Sequence, residues 1–227
     1  MKKQILAITA VVFVGTAVTF TSCKTEDTTA PSIAVTGGNA QSQNLPATAG
    51  QGTWTNPTAT ATDDEDGDLS TSVTVTGTVD PNTAGNYTLT YTVSDAAGNT
   101  ATEEVVVSIV NAADFAGGAY TGDDTCQVSP ALPYSSTWTA SSTVNNRVAI
   151  GNFGAFGQSV SVAATLTAAT STGGNITFST PFVLIGQASV SSASGTYTAS
   201  GNNVTANITY QWTDGSSTEV CSSVYVK

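Results

Sequence analysis

The chain has 227 residues, five basic against sixteen acidic, no histidine and a formal net charge of −11. Such a surface repels phosphate and excludes nucleic acid as a partner, and without histidine there is neither a triad base nor the commonest transition-metal ligand. Only 9% of residues are charged; Thr, Ser, Ala, Val and Gly dominate while the helix formers Leu, Glu, Lys and Arg are scarce, which predicts an all-β protein, long enough for two domains.

Residues 1–22 read as a leader. Lys2 and Lys3 precede an apolar run over 5–20, and the small residues Thr21 and Ser22 lead into Cys23, the layout of a secretory signal peptide. The run is shorter than the ~20 residues a helix needs to cross a bilayer, so cleavage is expected rather than a permanent span. Phe20-Thr21-Ser22-Cys23 resembles the lipobox of bacterial lipoproteins, with Phe20 where leucine is usual. The resemblance implies that Cys23 is lipidated, begins the mature chain and anchors it to the membrane through more than one acyl chain. An ordinary leader that leaves Cys23 free is the alternative. Lys24-Thr25-Glu26-Asp27 resembles the lysine-plus-acidic export signal of Bacteroidetes surface lipoproteins, which implies the outer membrane and the cell surface. Residues 23–30 then serve as lipid attachment and tether, and Asp27-Thr28-Thr29 resembles the O-glycosylation motif of the same bacteria. Loss of Lys2 and Lys3 with the leader takes the formal charge to −13.

Over residues 31–110 short strands alternate with turn residues, as in a small β-sandwich. Strands are predicted over 32–36, 57–62, 72–76, 86–94 and 100–110. In the clearest of them Tyr87, Leu89, Tyr91 and Val93 share one face, opposite Thr88, Thr90 and Thr92. Val105-Val106-Val107 reads as a section buried on both sides. The segments PSIAVTGG, ATDDEDGDLSTSVTVTG and AGNYTLTYTVSDAAGNTATEEVVVSIV resemble the bacterial immunoglobulin-like domains of surface proteins, near the hyalin-repeat and cadherin-like sandwiches. That resemblance implies an Ig-like fold with a spacer or adhesive role, and carries no chemistry with it.

Residues 111–227 form the second domain. Strand-like segments at 134–142, 146–150, 159–166, 175–179, 195–199, 204–213 and 217–226 are joined by short turns rich in Asn, Gly and Asp, so neighbours should pair antiparallel as a meander closing into a barrel or sandwich. The pattern loosely resembles the C-terminal β domains of small Bacteroidetes lipoproteins. With Cys23 assigned to lipid, Cys126 and Cys221 remain as an even pair in an oxidising compartment, and a disulfide between them would tie the first strand of the meander to its last. Two separate reduced thiols are the alternative.

Two sets of residues carry the functional candidates. Asp63, Asp64, Asp66 and Asp68 crowd one loop, and Asp95 and Asn99 occupy a later turn. Either a hard cation such as calcium gathers their oxygens, or the loop is solvated and its aspartates bond their own backbone. The glycine spacing is not that of an EF-hand. Trp138, Tyr210 and Trp212 form the second set: core side chains, or an exposed platform for stacking on sugar rings. Phe153-Gly154-Ala155-Phe156-Gly157 reads as a lip over a cavity or as a turn with its rings tucked inward. No GxSxG, nucleotide loop or anion clamp is present, and the carboxylates lie in turns where water keeps them ionised, so a glycoside hydrolase pair is not expected. The expectation is a non-catalytic structural or adhesive surface lipoprotein contacting an extracellular protein; an accessory glycan-binding lipoprotein is the alternative.

Overall fold

A computed structural model describes residues 26–128, 133–156, 160–170, 172–184 and 188–227. The leader and Cys23 lie outside the described residues. Strands dominate, with three short 3-10 turns between them, and no helix among the described residues is long and apolar enough to cross a membrane.

Buried side chains fall into two clusters, one spanning residues 33–109 and one spanning 113–225. The first is the interior of a two-sheet sandwich. One sheet has the order β1 (Ser32–Val35), β3 (Ala59–Asp63), β4 (Gly67–Asp68); the other has β2 (Ala40–Asn44), β7 (Thr100–Val110), β6 (Gly85–Ser94), β5 (Thr74–Thr76). Alternation along β6 buries Leu89, Tyr91 and Val93 against Val105, Val107 and Ile109 of β7. The Tyr91 hydroxyl donates to the Pro57 carbonyl at 2.7 Å, giving that buried phenol a partner in the segment leading into β3. Val106 is 42% exposed. The expected two-sided burial of Val105-Val106-Val107 is thereby corrected: the outer face of β7 meets water, and Val106 marks β-propensity rather than burial.

The second cluster fills a closed barrel. In chain order its strands are β8 (Gly118–Cys126), β9 (Pro133–Ala140), β10 (Arg147–Gly151), β11 (Ser161–Thr170), β12 (Gly173–Phe178), a two-residue β13 (Phe182–Val183), β14 (Ser189–Ser200), β15 (Asn203–Thr213) and β16 (Thr218–Val226). Consecutive strands pair antiparallel except β12 and β13; β12 and β13 each pair with β14, and β16 returns to β8, so eight strands close on themselves with β13 as a small flap. Positive φ at Asn146 (59°), Gly201 (59°) and Gly215 (92°) supplies tight turns between strands. A barrel of ~8 strands is just wide enough for side chains to fill it. Here Tyr120, Trp138, Ile150, Phe153, Leu166, Ile176, Ile208, Tyr210 and Tyr225 do so.

Cys126 and Cys221 are directly opposite in the β8–β16 register and form a disulfide, their Cα atoms 4.1 Å apart. The bond crosses the seam where the first barrel strand meets the last. For a 95-residue separation, constraint of the unfolded chain contributes about 4–5 kcal/mol.

No free linker separates the two bodies. β7 ends at Val110, and the next residue, Asn111, is 5% exposed. Its Nδ2 donates to the carbonyls of Ser141 (2.9 Å), Val144 (3.2 Å) and Arg147 (3.0 Å), while its Oδ1 accepts from the amides of Ala113 (2.9 Å) and Asn146 (2.8 Å). The β9–β10 hairpin gripped in this way also bonds the sandwich, through Ala84 N–H to Ser142 O at 2.7 Å and Asn145 N–H to Pro46 O at 2.9 Å.

Candidate functional site

The acidic loop lies between β3 and β4, at one end of the sandwich. Asp63 Oδ1 accepts from the amides of Glu65 (3.0 Å) and Asp66 (2.9 Å), which shapes the turn from its own first residue. Its Oδ2 is buried with no hydrogen-bond partner among the described residues. Carboxylate oxygens of Asp63, Asp64 and Asp27 lie within 4.8 Å of one another. Sequence reasoning placed Asp27 in the tether and missed its approach; Asn99, whose Nδ2 donates to the Asp27 carbonyl at 3.1 Å, helps to hold that segment there.

The other expected cation ligands are committed elsewhere. Asp66 Oδ2 accepts from Ala96 N–H at 2.6 Å, joining the acidic loop to the 95–99 turn. Asp68 Oδ1 accepts from the Ser70 hydroxyl (2.6 Å) and amide (2.9 Å), and these bonds hold its carboxyl below the ordinary value. Desolvation pushes the Asp95 carboxyl up, but bonds from Asn99, Gly98 and Ala97 outweigh it and leave it low. Asn99 closes that turn with its amide on Asp95 Oδ1 and its Nδ2 on Asp95 Oδ2, both at 2.8 Å. The structure thus brings Asp27, Asp63 and Asp64 together, while Asp66, Asp68, Asp95 and Asn99 of the expected six-residue set also serve turn hydrogen bonds.

Burial corrects the aromatic set as well. Trp138 is 2% and Tyr210 1% exposed, so neither forms a surface platform. Trp138 stacks on Tyr120 at 4.6 Å and meets Tyr225 edge-on at 5.3 Å, with its Nε1 unpartnered inside the barrel. Trp212 is half-buried at the end of β15, with Phe156 edge-on at 5.2 Å. Phe153 is fully buried between Phe178, Phe182 and Tyr210, which makes the Phe153-Gly154-Ala155-Phe156 stretch a tucked turn; Gly157 lies outside the described residues. Gly154 sits at φ 59°, and a Cβ there would come within 2.5 Å of the Tyr210 hydroxyl.

Two acids on the inward phases of barrel strands are buried, Glu219 on β16 and Asp124. Asp124 on β8 accepts from the Tyr210 hydroxyl at 2.5 Å and from the Ser223 hydroxyl. Desolvation nevertheless raises its carboxyl above the ordinary value, and raises the Tyr210 and Tyr134 phenols too. Sequence reasoning missed this residue, although an Asp on the inward phase of a strand is the available signal. Asp124, Tyr210 and Ser223 satisfy one another in a dry core, which suits fold specification rather than catalysis.

Two concave features lie on the barrel's outer wall. A groove of about 550 Å³ over β12, β14 and β15 is lined by Thr177, Thr196, Asn207 and Thr209, among others. A second, of about 540 Å³, lies over β9, β10 and β11 beside the β9–β10 hairpin and contains Arg147.

The family model described as bacterial surface protein, Ig-like domain, matches residues 41–109, within the stretch whose motifs carry that resemblance. No curated protein matches the chain. Among solved structures, a lipoprotein from Bacteroides thetaiotaomicron is similar at 18% identity and a TM-score of 0.38, over 87% of this chain and 99% of that one.

Proposed function

We propose that this protein is a non-catalytic surface lipoprotein in which the Ig-like sandwich is a stiff spacer and the barrel presents its outer wall to an extracellular protein. The observation that carries this reading is the barrel interior. Trp138, Phe153, Tyr210 and Tyr225 fill the lumen that a ligand-carrying barrel leaves open, so contacts with other molecules fall to the outside. The Ig-like match over 41–109 and the lipobox-like leader support display at the surface of the outer membrane. A joint built on Asn111, with no flexible linker, suits a spacer that sets a distance. The cluster of Asp27, Asp63 and Asp64 supports a role for calcium: a cation there would neutralise three converging carboxylates and fasten the tether to the sandwich.

Glycan capture is the second reading. One observation favours it: Trp212 stays half-exposed at the barrel rim, beside Phe156. Binding of the 24–227 chain to immobilised extracellular proteins and to a glycan array, measured in parallel, separates the two. Protein binding with no sugar hit that depends on Trp212 supports the first reading. Sugar hits abolished by Trp212→Ala in a folded protein replace it with the second.

A further inference from the structure

Positive charge is nearly absent from this molecule beyond the leader, where Arg147 and Lys227 are the only basic residues after the tether. Lys227 is engaged: its Nζ donates to the carbonyls of Phe115 (3.1 Å) and Gly117. The Arg147 side chain, by contrast, is exposed and makes no hydrogen bond or ion pair to any described residue. Arg147 thus stands on an acidic molecule without a carboxylate partner among the described residues.

Its surroundings have a definite composition. Arg147 opens the outward phase of β10 and lies opposite Thr165 of β11; the next outward row runs Thr139, Ala149, Ala163 across β9, β10 and β11. Thr139, Arg147, Ala149 and Ala163, with Ser141 and Ser142 of the adjoining hairpin, line the groove of about 540 Å³, and no acidic residue is among its lining. Its lining supplies the methyl groups of the paired Ala149 and Ala163, the hydroxyls of Thr139, Ser141 and Ser142, and one guanidinium. This volume lies within the ~300–1,000 Å³ of small-ligand sites.

We propose that this groove binds a glycan bearing a carboxylate, a hexuronic acid residue being the minimal unit. A guanidinium takes a carboxylate through two parallel N–H···O bonds, the hydroxyls of Thr139 and Ser142 match ring hydroxyls, and the Ala149–Ala163 pair accepts the apolar face of the ring. An acidic peptide fits less well. β9, β10 and β11 are interior strands of a closed barrel and offer no free edge for an added strand. The inference rests on surface display alone, not on which proposed partner the barrel meets elsewhere.

The test uses the 24–227 chain with oligogalacturonate, oligoglucuronate and oligomannuronate, neutral galacto-oligosaccharide as the uncharged control, and poly-glutamate as the peptide carboxylate, by calorimetry at two salt concentrations. At least one uronate should bind, more weakly at high salt, with Arg147→Gln reducing affinity by about tenfold or more, the loss of one charge-assisted pair. Ala163→Leu, which enlarges a lining side chain and keeps the charge, should reduce it too. Both positions are exposed, so unchanged melting shows that each variant is folded. Binding of none of the three uronates, equal binding by Arg147→Gln, equal binding of the neutral control, or Arg147-dependent binding of poly-glutamate would each overturn the proposal.

Discussion

Replacing Asn111 by alanine tests the claim that the joint is rigid by construction. The side chain makes five hydrogen bonds from a site that is 5% exposed. Among its partners, Arg147 O also accepts from Ser141 N–H at 2.8 Å and keeps that bond, so the loss is smaller than five full bonds. Buried groups left unsatisfied cost ~1–3 kcal/mol each, and partial relaxation of the hairpin brings the expected total to about 3–5 kcal/mol. The barrel bears this cost, because the gripped hairpin joins β9 to β10. Asn111→Asp should do no better than alanine: it keeps both acceptors but points a carboxylate at three carbonyls. Chemical denaturation gives the magnitude, and NMR alignment tensors of sandwich and barrel give the joint. The tensors should coincide in the wild type and diverge in Asn111→Ala. A stability loss below about 1 kcal/mol together with unchanged tensors would refute the reasoning, since a buried five-bond clamp cannot be removed so cheaply.

Removing the disulfide by Cys126→Ser with Cys221→Ser should lower barrel stability by about 4–5 kcal/mol and leave the sandwich transition where it was, as read by denaturation followed separately in each domain. For Asp124 the folded carboxyl lies above its unfolded value of 3.8, so its contribution is fully present below that value and is lost as pH rises through the folded one. Asp68 and Asp95 act in the opposite sense, being depressed and losing their contribution as pH falls, so the comparison is wild type against Asp124→Asn across the acid range. The asparagine variant should gain stability relative to wild type as pH rises, and a difference flat with pH contradicts the assignment. Calcium should raise the melting temperature of the sandwich, by ~2.7 kcal/mol of stabilisation at a hundredfold excess over Kd, and Asp63→Asn should cancel the shift. An identical shift in that variant would place the cation elsewhere.

What the sequence displays and what it hides follow from which forces leave a periodic trace. The inward phase of β6 was legible because Leu89, Tyr91 and Val93 alternate with threonines. β2 was not. Its residues, Ala40-Gln41-Ser42-Gln43-Asn44, carry no apolar phase, and the strand exists through parallel backbone bonds to β7 at a sheet edge. In the barrel the order of segments and the Cys126–Cys221 pair could be read, but periodicity gives two faces without saying which is wet. Trp138 and Tyr210 therefore read more readily as core than as platform, and closure of the sheet puts their faces inside. Other convergences left no trace in the sequence: Asp27 of the tether reaches Asp63, and Arg147 shares a groove with Ala149, Ala163 and a hairpin whose residues are unremarkable singly.

Closure and filling together decide where this molecule can work. A sheet with free edges can add a strand, and a barrel with an empty lumen can carry a ligand; β16 returning to β8 removes the first option along the barrel wall, and Trp138, Phe153 and Tyr225 remove the second. What is left is the outer surface, where recognition must come from side chains standing on rigid strands. On that surface charge is scarce, so most contacts can only be hydrogen bonds from Thr, Ser and Asn, each weak because water competes for the same groups. Under those conditions the proposed Arg147 site, with no ion-pair partner among the described residues, would outweigh many hydroxyls in choosing a partner. Such selection also needs the groove to keep its shape, and the Asn111 clamp secures this by binding the Arg147 carbonyl from below. The residue that fixes the joint between the domains is thus the one that positions the strand carrying the arginine, and loosening the joint should weaken the groove with it.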